Sequence, residues 1–285
     1  MLLAPVHSGL ELPAPCTTRL PAMADTAADT GFTEIADRCW VARSSLLDLN
    51  VSLVGGERGL LVVDSQTSEA AARRVVEQIR ALRAGEVVAV VNTHGHAHHT
   101  VGNAVLTGSY DAPPVHAHED AAVPTATETF SSAKVVDLGD RLVELIHPGR
   151  GHSAGDAVVR VGDADVLFAG DLVEESAARG GVPGYGEDCF PMDWPATLDL
   201  LIGLLTPATT VVPGHGRPVG RDFVEEQRGA IGVVAETIRD LAGRGVPVSE
   251  ALAAAQWPYP AEALAHAVRR GYAHLPRTSR TLPLI

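Results

Sequence analysis

The sequence predicts an α/β fold of two mixed sheets packed face to face with helices outside, a four-layered αββα sandwich. Two observations support this prediction. Short apolar runs punctuated by glycine, which are typical of strands, occur in two successive sets along the chain. Segments whose apolar residues recur at helical spacing accompany each set. Two such sets favour two sheets that share a core and carry their helices on the outer faces.

The first set begins after residue 30 and ends in a polar loop. Its strand-like runs are 32–43, 49–56 and 59–65. A helix is predicted over 68–85, because Ser68 is a favourable N-cap and Gly85 stops the apolar pattern. The run EVVAVV at 86–91 then predicts a buried strand that opens into polar residues from Asn92 onwards.

The second set contains more strands and longer helices. The predicted strands are 114–118, 134–139, 142–149, 156–162, 165–171 and 209–216. Helices are predicted over 194–205 and 222–241, and the alanine-rich tail 248–274 predicts one or two more. The glycine-rich irregular stretch 175–195 is a candidate lid.

Length and composition indicate one main domain. The chain has 285 residues, of which 46% are hydrophobic and 20% charged, so a large core can form. We expect a flexible N-terminal leader at 1–30, a main domain at 31–245 and a C-terminal helical extension at 246–285.

Charge and targeting signals restrict the partners. The formal net charge of -13 would repel phosphate backbones and anionic membranes, so we expect neither a nucleic-acid nor a membrane partner. The three cysteines form no C-x-x-C pair, and the first 30 residues lack a signal peptide's basic and apolar regions. These features predict a cytoplasmic protein with a small-molecule substrate, and a homodimer is left open.

Metal-ligand residues stand at five predicted strand ends. The segments are NTHGHAHHTVGN (92–103), IHPG (146–149), GRGHSAGD (149–156), LFAGDLV (167–173) and VVPGHG (211–216). Histidine is the commonest zinc ligand and carboxylate its usual anionic partner. An isolated histidine is most often a surface or capping residue, but four histidines within 94–99 after a buried strand favour a metal site. The candidate ligands are His94, His96, His98, His99, His152, Asp171 and His215.

This set resembles the signature of the metallo-β-lactamase superfamily, which is His-x-His-x-Asp-His followed by a Gly-His, a Gly-Asp and a second Gly-His. The resemblance covers about residues 31–225. It implies the metallo-β-lactamase fold and one or two zinc ions, with iron or manganese as alternatives. It further implies that a first metal is held by His94, His96 and His152, that a second is held by His99 and His215, and that Asp171 bridges them.

One position departs from the family pattern. His98 stands where the family has an aspartate, whose second oxygen can accept a hydrogen bond from the nucleophile. A metal-bound imidazole has no free lone pair for that role, although His98 can still serve as a substitute ligand. The alternative is a ring that points outward to solvent. The candidate catalytic residues are Asp171 and His98. The departure from the family pattern affects the chemistry of His98 most.

Other residues are interpreted from their positions. Asp64 resembles the family aspartate that braces the histidine loop, with a plain strand-end turn as the alternative. In the candidate lid, Tyr185 and Trp194 are predicted to contact substrate, and a packing cluster under the loop is the alternative. Lactonases of the family carry a tyrosine where this chain has Glu174, which makes lactonase activity a weaker expectation.

The resemblance implies a hydrolase in which a metal-bound hydroxide attacks an ester, thioester or related acyl bond. Two alternatives stay open. The first is an oxidoreductase with a single iron, similar to persulfide dioxygenases on the same fold. The second is a metal-binding protein whose catalysis is weakened by the change at position 98.

Overall fold

The computed structural model describes residues 31–275 and places the chain in two mixed β-sheets. The predicted leader at 1–30 and residues 276–285 of the predicted extension lie outside this range. Within the described range the first sheet has seven strands in sequence order: β1 (Thr33–Ala36), β2 (Cys39–Arg43), β3 (Asn50–Gly56), β4 (Gly59–Val63), β5 (Val87–Val91), β6 (Val115–His118) and β7 (Glu128–Phe130). Strands β1 to β4 pair antiparallel, and β4 to β7 pair parallel.

The second sheet, in the same part of the chain, has five strands in the spatial order β12-β11-β10-β9-β8. They are β8 (Ala133–Asp137), β9 (Leu142–Ile146), β10 (Val158–Val161), β11 (Val166–Glu174) and β12 (Thr210–His215). The β11–β12 pair is parallel and the others are antiparallel. The sheet thus brings the carboxyl ends of β11 and β12 to the same edge.

Helices cover the outer face of each sheet. They are α1 (Glu69–Leu82), α2 (Ala97–Thr100), α3 (Asn103–Ser109), α4 (Trp194–Gly203), α5 (Arg221–Gly243), α6 (Val248–Ala251) and α7 (Ala265–His274). Helix α1 begins at the predicted cap, where Ser68 Oγ accepts a hydrogen bond from the Ala71 amide at 3.2 Å. Between residues 31 and 275, no helix combines the length and apolar character needed to cross a membrane.

Three buried clusters confirm the predicted four layers. One lies between the sheets and joins β-strand residues such as Val63 and Val91 to Phe168 and Val212. A second packs α1 and α3 against the first sheet, and a third packs α4, α5 and α7 against the second. Each cluster buries the apolar face of its sheet, which is the main stabilising contribution to such a sandwich. The C-terminal helices therefore share the core of the second sheet.

The element boundaries differ from prediction in several places. The run 32–43 is two strands, because the chain turns at Arg38, whose φ of 50° is left-handed. Helix α3 and the short strand β7 were not predicted. Strand β11 extends three residues beyond its predicted end at Asp171, since Glu174 still pairs with His215 of β12. The tail forms α6 and α7 with a 3-10 turn between them.

A 3-10 turn at Glu119–Ala121 lies between the loop that carries His94 and His96 and the loop that carries His152. A Cβ atom at Gly95 would overlap the Ala121 carbonyl oxygen, and one at Gly155 would overlap the Ala121 backbone nitrogen and Cα. Only glycine permits this backbone approach. The turn consequently fixes the spacing between the loop at 92–96 and the loop at 151–156.

Gly155→Ala is expected to lower the free energy of unfolding by about 1 to 3 kcal/mol, the usual cost of overpacking a closed contact. Gly229→Ala is the matched control, because its added methyl group meets open space on α5 and should stabilise that helix by up to about 1 kcal/mol. Urea titrations of both variants test this. Equal stability of Gly155→Ala and the wild type would show that the turn does not set the loop spacing.

Candidate metal centre

The histidine loop follows β5 and runs directly into α2. His94 and His96 lie before the helix, and His98 and His99 lie on it. Helix α2, at the end of this loop, is held in place through the His99 carbonyl. This carbonyl accepts hydrogen bonds from the Ser65 amide and from the side-chain amide of Asn92, both at 2.9 Å. His94 and His99 are buried, and the side chain of His98 is 26% exposed.

Asp171 lies opposite this loop, at an irregular step in the pairing of β11 with β12. Gly170 has a φ of 53°, and a Cβ at Gly214 would overlap the Asp171 carboxylate, so both glycines permit its position. The carboxylate oxygen Oδ2 lies 3.9 Å from Nε2 of His94, 3.8 Å from that of His98, 3.4 Å from that of His152 and 3.3 Å from that of His215, while Oδ1 lies 3.3 Å from Nε2 of His99. One buried carboxylate thus faces five imidazoles.

A first group of three imidazoles can hold one ion. Its potential ligand atoms are Nε2 of His94, Nδ1 of His96 and Nε2 of His152, and the last two are 2.9 Å apart. The opposite nitrogens are hydrogen-bonded outward, His152 Nδ1 to the Gly184 carbonyl at 2.7 Å and His96 Nε2 to Asp188 at 3.1 Å. Because an outward bond to an acceptor places the ring proton outside, the inward nitrogen keeps its lone pair for a metal.

A second group adjoins the first. It combines Asp171 with His98 and His99, and His94 is within reach of both groups. His215 is directed to the same carboxylate, and its Nδ1 donates to the Leu47 carbonyl at 2.7 Å. The two groups include every histidine that the sequence singled out except His215, which approaches Asp171 from β12.

The ring of His98 points into the centre. Its Nε2 atom is buried next to Asp171, whereas part of the ring edge reaches solvent. The outward orientation that the sequence left open is therefore not the one observed. This geometry is compatible with a substitute ligand.

The chemistry of the inward-facing atoms fits a cation. Across residues 31–275, six of these buried atoms have no hydrogen-bond partner: Nε2 of His94, His98, His99 and His215, and both carboxylate oxygens of Asp171. Buried polar atoms without partners cost about 1 to 3 kcal/mol each, so their concentration here needs a compensating interaction. A divalent ion bound between them would supply it.

Charge and burial act in opposite directions within the centre. Burial opposes protonation of His99, but the carboxylates of Asp64 and Asp171 outweigh it and raise the pKa of His99 to about 10. Burial lowers the pKa of His152 to about 4. Burial would raise the pKa of Asp171, yet the surrounding imidazoles hold it well below the usual range. The protein without metal therefore favours an ionised Asp171 next to cationic charge, which a bound metal also provides.

Asp64 braces the histidine loop as the resemblance implied. Its carboxylate accepts hydrogen bonds from the Thr93 amide and hydroxyl, both at 2.8 Å, and from His99 Nδ1 at 2.9 Å. The residue adopts a φ of 60°, a conformation that aspartate tolerates better than most residues. The hydroxyl of Thr93 also lies 3.1 Å from His94 Nδ1, so one carboxylate orients two inward-facing rings.

The predicted substrate contacts of Tyr185 and Trp194 do not fit their burial. Trp194 has no exposed surface; its indole nitrogen donates to the Leu172 carbonyl at 3.2 Å, and its ring lies 6.0 Å from that of His152. Tyr185 packs edge-on against it at 5.1 Å and is 6% exposed. Both rings belong to the core of the second sheet, as the packing alternative describes.

Sequence reasoning missed Asp188 and did not anticipate the burial of Glu174, two carboxyl groups near the centre. Asp188, in the irregular stretch, contacts His96, and no spacing pattern could have indicated this. Burial raises the pKa of Glu174 to about 8, and the Gln227 side chain holds the Glu174 backbone at both its amide and its carbonyl. Glu174 follows Leu172 and Val173 but precedes Glu175, so no local pattern indicated its burial.

The fold and this cluster together define an α/β sandwich with a histidine and aspartate centre suited to metal ions. The model of the metallo-beta-lactamase superfamily matches residues 46–215, more than half of the chain. The chain belongs to that superfamily. The match confirms the fold and family expected from the histidine pattern.

Curated relatives and solved structures agree with this assignment. A type 2 metallo-beta-lactamase of Bacillus sp. (strain 170) is 25% identical over 177 residues, and that of Bacillus cereus is 23% identical over 176. Each match covers 59% of this chain and 66% of the relative, slightly less than two thirds of its length. A metallo-beta-lactamase from Pontibacter korlensis superposes with a TM-score of 0.63 at 22% identity, covering 70% of this chain and 98% of that one. The DIM-1 metallo-beta-lactamase exposed to ceftazidime gives 0.62 at 20% identity, covering 73% and 99%.

Asp64→Asn is expected to weaken metal binding about 10 to 100-fold, because an amide has one acceptor oxygen and cannot satisfy both Thr93 and the His99 ring. Competition with a chromophoric chelator measures the affinity. Asp111→Asn, at an exposed position, serves as the control for a change of charge. An unchanged affinity in Asp64→Asn would mean that the ring orientation does not depend on this carboxylate.

Proposed function

We propose that this protein is a metal-dependent hydrolase that cleaves an ester, thioester or related acyl bond of a small molecule, with zinc as the metal. The observation that carries the proposal is the set of buried, unpartnered ligand atoms around Asp171. The inward orientation of Nε2 in His94, His99 and His215 is supported by contacts of the Nδ1 atoms of the same rings with Thr93, Asp64 and Leu47. The named relatives are hydrolases of the same superfamily, which supports the reaction type but not a substrate.

The chain's residues would divide between two positions. We assign His94, His96 and His152 to the first ion, and His98, His99 and His215 to the second. Asp171, the one carboxylate among residues 31–275 that faces both groups, would be the bridging ligand in this assignment. A divalent cation in such a site lowers the pKa of water to about 7 and polarises a carbonyl group.

Position 98 determines how protons can move. An aspartate that ligates through one oxygen has a second oxygen to accept a proton, whereas His98 offers only Nε2 to the centre. Once Nε2 is a ligand, the ring cannot accept a proton from the attacking water there. Hydrolysis is then easiest for a substrate whose leaving group needs no proton, such as a thiolate or phenolate. Esters and thioesters consequently rank above β-lactams, whose leaving group is an amine.

Removing the metal should abolish both hydrolysis and part of the stability. A ligand that binds only the native state adds RT ln(1 + [L]/Kd) to the free energy of unfolding, about 2.7 kcal/mol at one hundred times Kd. Elemental analysis, melting curves and a panel of chromogenic esters and thioesters test this before and after chelation. Iron instead of zinc, with no hydrolysis, would favour the single-iron oxidoreductase.

The matched variants are His94→Ala and His118→Ala. Both remove a buried imidazole, but His118 stacks on His147 at 3.8 Å and lies outside the centre. His94→Ala is expected to lose metal and activity, and His118→Ala to retain metal even where its melting temperature falls. Full hydrolysis by metal-free His94→Ala would contradict the proposed site.

His98→Asp is expected to raise the occupancy of the second position and the hydrolytic rate. The new carboxylate adds an anionic ligand that offsets repulsion between two cations, and its free oxygen can accept a proton. General acid-base assistance of this kind contributes about 10² to 10⁴-fold. Zinc titration of wild-type and variant protein during ester hydrolysis measures both effects. Equal stoichiometry with a slower variant would identify His98 as an adapted ligand.

A further inference from the structure

The irregular segment 186–190 touches both histidine loops. The Asp188 carboxylate contacts His96 Nε2 at 3.1 and 3.3 Å, and the Phe190 amide donates to the Gly151 carbonyl at 2.7 Å, next to His152. The segment therefore contacts the ring of His96 directly and binds the backbone next to His152, and both of these rings belong to the first group.

The same segment is held from its other side by α7. Arg270 Nε donates to the Cys189 carbonyl at 2.8 Å, and its Nη2 lies 3.4 Å from the Asp188 carbonyl. The Arg270 guanidinium also lies over the Phe190 ring, 5.0 Å from its centroid, and the His274 ring stacks on that ring at 5.0 Å. These contacts bind the segment to α7 at three consecutive residues.

Helix α7 is itself a fixed support. A Cβ at Gly271 would lie 2.7 Å from Ile238 of α5, so the two helices approach closely, and Val268 is buried between them. The family model ends at residue 215, which leaves α7 outside the part of the chain that it matches. The support for the segment is thus supplied by this chain's C-terminal helices.

We propose that Arg270 is a positioning residue of the metal centre: it holds the backbone of 188–189 so that Asp188 accepts the Nε2 proton of His96 and leaves Nδ1 directed inward. The proposal rests on the metal site proposed above. The Asp188 side chain is 54% exposed, so burial does not fix its carboxylate. Its position depends on the backbone, and Arg270 donates to two successive carbonyls of that backbone.

The consequence is a dependence of metal affinity on a residue that touches neither metal nor substrate. Without Arg270 the Asp188 carboxylate would sample other positions. His96 would then spend part of the time with its proton on Nδ1, and a protonated Nδ1 cannot bind a metal. Loss of an outer hydrogen bond of this type commonly weakens metal binding 10 to 100-fold.

The test uses full-length protein stripped of metal and titrated with zinc alone against a chromophoric chelator. Arg270→Met keeps the aliphatic stem and removes the donors, and Arg269→Met is the matched control on the solvent side of α7. We expect the zinc affinity to fall about tenfold in Arg270→Met and to stay unchanged in Arg269→Met. Arg270→Lys, which retains the charge on a single donor nitrogen, should fall between them and also covers the case in which the methionine variant does not fold.

A double-mutant cycle separates positioning from general stabilisation. If Arg270 acts through Asp188, Arg270→Met should add no further loss of affinity in an Asp188→Asn background. Unchanged affinity in the single Arg270 variants, or additive losses in the cycle, would overturn the proposal. Wild-type protein that takes up no zinc would instead reject the metal site itself, and with it this inference.

Discussion

The site depends on the interaction between the buried Asp171 carboxylate and the imidazoles around it. An ionised group without solvent is costly unless charge or hydrogen bonds compensate, and here the compensation comes from imidazoles supplied by separate loops. The Asp171 carboxylate occupies the space that a side chain at Gly214 would need, and the Thr93 side chain occupies the corresponding space at Gly170. A change in any loop that supplies one of these imidazoles would therefore leave the charge of the Asp171 carboxylate partly uncompensated.

Because the facing groups belong to different sheets, the packing of the sheets determines the geometry of the site. His94 and His99 follow the first sheet, and Asp171 and His215 lie on the second. The cluster of Val63, Val91, Phe168 and Val212 between the sheets holds these strand ends at one distance. Binding a metal across that junction couples its affinity to the folded state of the whole sandwich.

The sequence was sufficient for features that repeat or that combine residue types at strand ends. The two-set pattern predicted the layers, and the inward-facing cluster contains every histidine chosen from its motif. The sequence was insufficient for features that depend on packing between distant parts of the chain. The split of 32–43 depends on a left-handed Arg38, the contact of Asp188 with His96 spans 92 residues, and Trp194 is buried because α4 packs onto the second sheet. None of these leaves a local pattern.

The orientation of four of the rings is set from different parts of the chain. Asp64 fixes His99, the carbonyls of Gly184 and Leu47 fix His152 and His215, and Asp188 fixes His96. The first of these partners lies beside the histidine loop, but Gly184 and Asp188 lie in an irregular stretch supported by α4 and α7. The metal ligands can stay the same while these supporting residues change. A support needs only to place one hydrogen-bond acceptor next to the outer nitrogen of a ring. Affinity for the metal can therefore differ between members of the superfamily with the same ligand types, and in this chain the segment 186–190 is where that difference can arise.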